Sequence, residues 1–290
     1  MPIKAQIIKL LYKLLLLFTL LFILDFAIGK SLEHFYFTQT SGAFYRTTYS
    51  MDSTNTDILI FGSSRANHHY DTRILADKLG MTCYNTGRDG NFLLYNYAVY
   101  ETITERYTPK IVIFDVNKNE LSSTKEEYER LSSLLPYKNR NQVIDRMIEL
   151  RGPYERLKCL SKIYPYNFLL LTIAIGNTEM NKSRKADNNG YVPLTGIWKN
   201  SLPGTDSGSY HATDTNKEMV IQEIINDCKL KGIRLVLVNS PAFMKTIHTK
   251  NLNPIEEIAL NNKVEYLDYS VDTTFLYNNN YFVDPGHLNE

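Results

Sequence analysis

The chain has 290 residues, of which 43% are hydrophobic, so it is long and apolar enough to bury a core. Its 32 Lys and Arg residues balance 31 Asp and Glu residues to a formal net charge of +1, which argues against a basic protein that binds nucleic acid. The three cysteines are far apart and form no CxxC pair, so they indicate neither a disulfide framework nor a zinc ribbon.

An almost continuous apolar run covers residues 10–28, with lysines before it and interruptions only at Lys13 and Asp25. Its 19 residues come close to the roughly 20 that a membrane-spanning helix needs. The lysines predict that the N-terminus is cytoplasmic and that the main part of the chain lies outside the cytoplasm. We therefore expect residues 1–29 to form a cytoplasmic tip and a transmembrane signal anchor. A signal peptide that is cleaved after export is the alternative, since residues 27–29 resemble a cleavage site.

After the anchor, residues 30–56 have no sustained hydrophobic period, and we expect a connector there. Short apolar runs then alternate with amphipathic segments, which predicts parallel strands covered by helices. Strands are expected at 57–61, 81–84, 111–114, 233–238 and 264–267, and helices at 71–80, 92–107, 217–230 and 254–260. Residues 122–210 break this alternation, with charged helical stretches at 124–135 and 142–161 and an apolar run at 168–175. We interpret them as an insertion into one α/β domain over residues 57–290.

Two polar motifs directly follow predicted strands, at the edge of a parallel sheet where ligands bind. In Gly62-Ser63-Ser64, a serine at a strand-to-helix turn can expose its hydroxyl as a nucleophile, or it can cap the next helix. In the stretch 85–90, glycines allow backbone N–H groups to approach a developing oxyanion, although an ordinary turn has the same composition.

Two further motifs complete the set. In Asn117-Lys118-Asn119-Glu120-Leu121, an asparagine amide can donate to an oxyanion, and a polar loop is the plainer interpretation. In Asp284-Pro285-Gly286-His287, the carboxylate can accept a hydrogen bond from the imidazole Nδ1–H and leave Nε2 free as a general base. Such a motif also occurs as a surface turn beside an unrelated histidine.

In this order, the four motifs resemble those of the SGNH/GDSL hydrolases, in particular the Gly-Ser-Ser variants of membrane-anchored bacterial proteins of the cell envelope. The resemblance covers about residues 57–121 and 233–290, and it implies a three-layer α/β/α, flavodoxin-like domain. It implies that Ser64 is the nucleophile and that Asp284 and His287 complete the triad. The implied oxyanion hole consists of Ser64, Gly90 and Asn119, with Asn117 as the rival of Asn119. Ser63 stands where the family has aspartate, and Asn117 where it has glycine.

The resemblance implies a serine esterase that acts outside the cytoplasm on an acylated carbohydrate or a small ester, without a cofactor or a metal. An O-acyltransferase for an envelope polysaccharide and a non-catalytic envelope module are the alternatives. The adjacent His68 and His69 lack partners at metal-ligand spacing, so we expect no metal site there. Arg65 is expected to contact solvent or to form an ion pair, with contact to an anionic substrate as the alternative. Only three residues follow His287, so one expectation is that this histidine lies near a frayed end.

Overall fold

The computed structural model describes residues 3–178, 189–199, 213–244 and 253–290. Its centre is a sheet of five parallel strands in the order β2-β1-β3-β4-β5. The strands are β1 (Ile58–Phe61), β2 (Cys83–Asn85), β3 (Ile111–Asp115), β4 (Arg234–Asn239) and β5 (Glu265–Asp268). This is the flavodoxin-like strand order, so the α/β fold class predicted from the sequence is confirmed.

Helices cover both faces of this sheet. The helices that belong to the α/β alternation are α3 (Ser64–His69), α4 (Thr72–Leu79), α5 (Leu93–Thr104), α10 (Thr215–Lys231) and α11 (Pro254–Asn262). Along β1, Leu59 and Phe61 enter the larger core with α5, α10 and α11, whereas Ile58 and Ile60 pack against α3 and α4 on the other face. Strands buried on both faces explain why the strand segments are apolar without alternation.

The N-terminal helix α1 (Ile3–Phe37) is long and apolar enough to cross a membrane, and none of its most apolar part is buried within the protein. It is followed by α2 (Gly42–Ser53). The stretch 30–56 is therefore largely helical, although its sequence has no sustained period, and its role as a connector stays a prediction. Tyr36 and Met51 are both fully buried in the larger core, so tertiary packing stabilises helices there that the polar composition does not predict.

The described part of the segment 122–210 contains short helices: α6 (Lys125–Arg130), 3₁₀ turns at Leu131–Tyr137 and Tyr164–Tyr166, α7 (Gln142–Glu149), α8 (Glu155–Lys158) and α9 (Leu170–Gly176). The single helical stretch expected at 142–161 is interrupted, because Gly152 adopts a positive φ of 153° just before Pro153. Residues 179–188 and 200–212 lie outside the described residues, and they include about half of the stretch 188–208, whose Gly/Pro/Asn-rich sequence predicts a loop. The interpretation of 122–210 as an insertion stays a prediction.

The strand order reverses between β1 and β3, and in this fold ligands bind in the crevice at that point. Ser64 follows β1, Asp115 ends β3 and Asn239 ends β4, all at the carboxyl edge of the sheet. A hairpin of β6 (Phe282–Asp284) and β7 (His287–Leu288) approaches the same edge, because β7 packs against α3. The fold thus brings the far end of the chain to the first strand of the sheet.

Candidate active site

Ser64 is the first residue of α3 and follows β1 through a tight turn at Gly62 and Ser63. Gly62 has a φ of 146°, and a Cβ there would lie 2.8 Å from Ala66 Cβ and 2.9 Å from the carbonyl oxygen of Asp115. Only glycine fits this turn without strain. Ser63 occupies the N-cap position of α3, but its side chain makes no capping hydrogen bond.

His287 is positioned by the hairpin that carries it. Asp284 Oδ1 accepts hydrogen bonds from the backbone N–H groups of Gly286 and His287 at 2.8 and 3.0 Å, which closes the turn. His287 Nδ1 lies 2.9 Å from each carboxylate oxygen of Asp284. On the other side of the ring, His287 Nε2 lies 2.7 Å from Ser64 Oγ, across 223 positions in the sequence. His287 is therefore within hydrogen-bonding distance of both Ser64 and Asp284.

The charge of Asp284 supports this arrangement. Partial burial acts to raise the pKa of its carboxyl group, but the hydrogen bonds from the His287 ring and the Gly286 N–H outweigh burial and lower the pKa below its ordinary value. Asp284 is accordingly ionised at neutral pH. An ionised carboxylate accepts a hydrogen bond from His287 Nδ1–H, which keeps the proton on Nδ1 and leaves Nε2 as an acceptor for the Ser64 hydroxyl.

His69, on α3, anchors the hairpin that carries His287. Its Nε2 accepts the backbone N–H of Leu288 at 3.1 Å, and its Nδ1 lies 3.0 Å from Ser240 Oγ. Because Nε2 accepts, the hydrogen-bond pattern assigns the proton to Nδ1, which then donates to Ser240. Burial, together with the positive charge of Arg65 and the nearby His287, keeps the pKa of His69 well below its ordinary value. His69 is therefore a neutral residue, and it hydrogen-bonds to Leu288, which directly follows the proposed base in the chain.

The end of the chain is tied down as well. The backbone N–H of Asn289 donates to the carbonyl of Tyr281 at 2.9 Å, and that of Glu290 donates to the carbonyl of Leu194 at 2.9 Å. His287 does not lie in a frayed segment, so that expectation is wrong. The sequence showed how few residues follow His287, but it did not show that those residues are hydrogen-bonded to distant parts of the chain.

Arg65 forms an ion pair and does not point to solvent. Its guanidinium donates to Asp115 Oδ1 at 3.2 Å, to Asn239 Oδ1 at 3.1 Å and to the carbonyl of Ser240 at 3.3 Å. Tyr70 donates to the second oxygen of Asp115 at 2.6 Å. Sequence reasoning missed these partners, although they stand at the ends of β3 and β4, where the strand-end rule would have found them.

The implied oxyanion donors lie in two loops beside the crevice. Gly90 adopts a positive φ of 67°, and the Arg130 guanidinium lies 3.3 Å from where a Cβ on Gly90 would be. Asn119 is exposed, and its backbone N–H donates to Asn117 Oδ1 at 2.8 Å. The Asn117 amide in turn donates to Glu120 at 2.8 Å. Within the described ranges, no hydrogen bond links Gly90 or either asparagine to Ser64 or His287, so their roles stay predictions.

His68 is held in a different environment from His69. Its Nδ1 lies 2.6 Å from the carbonyl oxygen of Val192, and its Nε2 lies 3.2 Å from Asp89 Oδ1. Burial acts to lower the pKa of His68, but the hydrogen bonds to Asp89 and Val192 outweigh it and raise the pKa. Both rings also lie edge-on to His287, with centroids 5.6 and 6.2 Å away. Among the residues that the structure describes, no group of three or more His, Cys, Asp or Glu side chains is placed to hold a metal ion.

No protein-family model matches the chain, and no curated protein matches it significantly. Among solved structures, the chain is similar to one from Desulfitobacterium hafniense that is provisionally named a lipolytic protein of the G-D-S-L family. The TM-score is 0.38 at 11% identity, over 81% of this chain and 91% of the other. A second, from Bacteroides fragilis and provisionally named an acylhydrolase, has a TM-score of 0.36 at 12% identity, over 82% of this chain and 81% of the other. At such low TM-scores the likeness carries no argument about activity, and the functional inference depends on the site.

Proposed function

We propose that this chain is a serine ester hydrolase of the SGNH/GDSL kind, with Ser64 as nucleophile, His287 as general base and Asp284 as the carboxylate that orients the base. One observation supports the proposal most: both ring nitrogens of His287 are engaged, Nε2 with Ser64 Oγ at 2.7 Å and Nδ1 with Asp284 at 2.9 Å. A surface histidine beside a serine by chance would not need its second nitrogen fixed by a carboxylate.

The proposed reaction has two steps. His287 Nε2 takes the proton of Ser64 as Oγ attacks the ester carbonyl, and the protonated ring then gives this proton to the leaving alkoxide, which departs as an alcohol. Water attacks the acyl-serine in the second step, with the same nitrogen as base, and it releases the carboxylic acid and free Ser64. Asp284 stabilises the imidazolium in both steps without taking its proton. These steps use only groups of the chain, the ester and water.

The negative charge on the carbonyl oxygen has three proposed donors. The backbone N–H of Ser64 is at the first position of α3 and has no acceptor within that helix. The positive φ of Gly90 and the open side chain of Asn119 make the other two donors available at the edge of the crevice. Asn117 is the weaker candidate, because its amide already donates to Glu120 and its oxygen already accepts from Asn119.

We further propose that the ester is met outside the cytoplasm. The lysines before the apolar run predict a cytoplasmic N-terminus, and α1 continues without a break into the α/β body on the far side. Acylated glycans of a cell envelope or small acyl esters are then the substrates within reach. The hydrophilic edge of the sheet, with Arg65, Asn117 and Asn119 near the triad, is compatible with a polar alcohol portion.

The chain offers a matched pair of serines for the test. We expect a fluorophosphonate probe to label the wild type and a Ser63→Ala variant, and to leave Ser64→Ala unlabelled. Hydrolysis of p-nitrophenyl acetate should fall about 10⁴-fold or more in Ser64→Ala and change little in Ser63→Ala. Full activity of Ser64→Ala, or loss of labelling only in Ser63→Ala, would overturn the proposal.

A second measurement separates hydrolysis from acyl transfer, since both start from the same acyl-serine. The enzyme is incubated with an acetyl ester and a glycan acceptor, and free acetate is compared with acetylated glycan. The hydrolase proposal expects acetate as the main product whether or not glycan is present. Acetylated glycan as the main product would assign the site to an acyltransferase, in which water is excluded from the second step.

A further inference from the structure

A second feature of the molecule lies away from the crevice. Between residues 154 and 171, large apolar side chains point into solvent: Leu157 is 64% exposed, Leu160 71%, Leu171 73% and Phe168 90%. Tyr154 is exposed beside them. So many exposed apolar side chains within one short segment mark an interaction surface, because single exposed residues are normal but clusters are costly in water. We call residues 154–171 the juxtamembrane segment.

The juxtamembrane segment hydrogen-bonds to α1 near the end of the apolar run of that helix. The carboxylate of Asp25 accepts hydrogen bonds from the Ser161 hydroxyl and from the backbone N–H groups of Lys162 and Ile163, the latter two at 2.7 and 3.3 Å. One turn further, Gly29 lies directly against the backbone of Lys162, and a Cβ at this glycine would come within 2.4 Å of it. The α/β body therefore reaches down α1 to the level of Asp25.

The length of the apolar run decides what surrounds this contact. From Leu10 to Leu24, the lipid-facing part of α1 measures about 22 Å, whereas the hydrocarbon core of a bilayer is about 30 Å thick. Residues 25–28 must lie at the edge of the hydrocarbon for the run to cross it. The loop that binds Asp25 then lies at the boundary between acyl chains and headgroups. Leu157 and Leu160, which directly precede that loop, lie beside the same boundary.

We propose that the juxtamembrane segment is inserted into the headgroup region of the phospholipid bilayer that α1 spans. Its exposed leucines and Phe168 would contact acyl chains, while the exposed Lys162 would face the phosphates. Because α1 continues unbroken into the protein, the α/β body would be held at a fixed height above the membrane and would not swing on a tether. The proposal depends on α1 being a membrane anchor and is independent of the esterase assignment.

The proposal is tested with the full chain in liposomes of phosphatidylcholine and phosphatidylglycerol, in a Cys159→Ser background, where the remaining Cys83 and Cys228 are buried. Single cysteines at positions 160 and 168 are labelled with an environment-sensitive fluorophore, and its quenching by lipids with a doxyl group near the headgroup is measured. Position 17, in the middle of α1, is the positive control. Position 74 is the matched control, because Ile74 is 59% exposed on α4, on the opposite face of the sheet from α1.

We expect quenching at positions 160 and 168 to be at least about threefold stronger than at position 74. Quenching at position 17 alone would show an anchored chain whose segment stays in water, and it would overturn the proposal. Protection of positions 160 and 168 that appears only when a second protein is added would overturn it too.

Discussion

The two halves of the proposed crevice are held in different ways. On the side of the base, Asp284 accepts from two backbone N–H groups as well as from His287, and the neutral His69 holds the next residue of the hairpin. On the side of the oxyanion donors, the hydrogen bonds of the loop at Asn117 run mainly within the loop, to Asn119 and Glu120. The base is fixed from α3 through Ser64 and His69, whereas Asn117 and Asn119 are held by hydrogen bonds to neighbours in their own loop, which Glu120 in turn connects to Leu93.

The two halves have different requirements for the position of their groups before the substrate binds. A general base must lie within hydrogen-bonding distance of the proton that it takes, so its position has to be fixed before a substrate arrives. An oxyanion donor acts only when charge develops on the substrate oxygen, so its final position depends on the bound substrate as well. We therefore expect the structure on the base side to be fixed before a substrate binds. Substitutions on the donor side should mainly lower kcat.

Among the substitutions that distinguish the two sides, Asn119→Ala is expected to lower kcat the most. If Asn119 donates to the oxyanion, kcat for p-nitrophenyl acetate falls about 10²–10³-fold, with KM nearly unchanged. Its side chain is exposed, so the melting temperature should change by no more than about 1 °C. Steady-state kinetics and thermal unfolding of the same preparation give both values.

Asn117→Ala is the companion variant. Asn117 contacts the buried Glu120 and supports the backbone of Asn119, so its loss should lower stability by about 1–3 kcal/mol and reduce kcat only through the displaced loop. The reverse pattern, in which Asn119→Ala keeps its kcat while Asn117→Ala loses kcat at an unchanged melting temperature, would assign the donor to Asn117.

A smaller effect is expected from His69, which positions the hairpin and does not touch the reacting atoms. His69→Leu leaves the Leu288 N–H without an acceptor, and we expect kcat and the rate of fluorophosphonate labelling to fall about 10–100-fold, since small displacements of a base are costly. His69→Gln can accept the same N–H through its amide oxygen and should recover most of this loss. Equal loss in both variants would show that the imidazole itself is needed, and the positioning role would be wrong.

The sheet and the triad are the parts that sequence alone predicts best. Strands such as Ile58–Phe61 and Ile111–Asp115 are short, apolar and ended by polar residues, so local composition is sufficient to find them. The spacing of Asp284 and His287 is likewise sufficient to predict their contact, because a turn of this length brings the carboxylate to Nδ1. The meeting of His287 with Ser64 is not contained in either motif, and it was inferred only from the family resemblance.

The features that the sequence does not predict are stabilised by contacts between residues that are distant in the chain. Residues 30–56 look like a connector because their apolar and aromatic residues follow no sustained period, yet Tyr36 and Met51 are buried once they meet the core. Asp25 looks like an interruption of an apolar helix until the loop at Ser161 supplies its donors. In both places the pattern is local, but the stabilising partner is more than a hundred positions away or lies on another element.

The smallest expected effect concerns the pair of His68 and Asp89, which ties the Gly90 loop to α3. The pKa of Asp89 is about 2, because burial, which acts to raise it, is outweighed by hydrogen bonds from His68 and Asn67. The pKa of His68 is raised, so the stabilisation from its charge is complete below about pH 6.5 and is lost as the pH rises through the raised value. Since Asp89 is mostly exposed, the pair should contribute only about 0.5–1 kcal/mol.

We therefore expect Asp89→Asn to lower the melting temperature by about 1–3 °C at pH 5.5 and by less at pH 9. Asp71→Asn is the control, because Asp71 pairs with Arg73, which does not titrate in this range, so its effect should be the same at both pH values. A loss in Asp89→Asn that does not change between pH 5.5 and 9 would mean that His68 is neutral. The Gly90 loop would then be held to α3 by the hydrogen bond that the Asn67 amide donates to the Asp89 carboxylate, without an ion pair between Asp89 and His68.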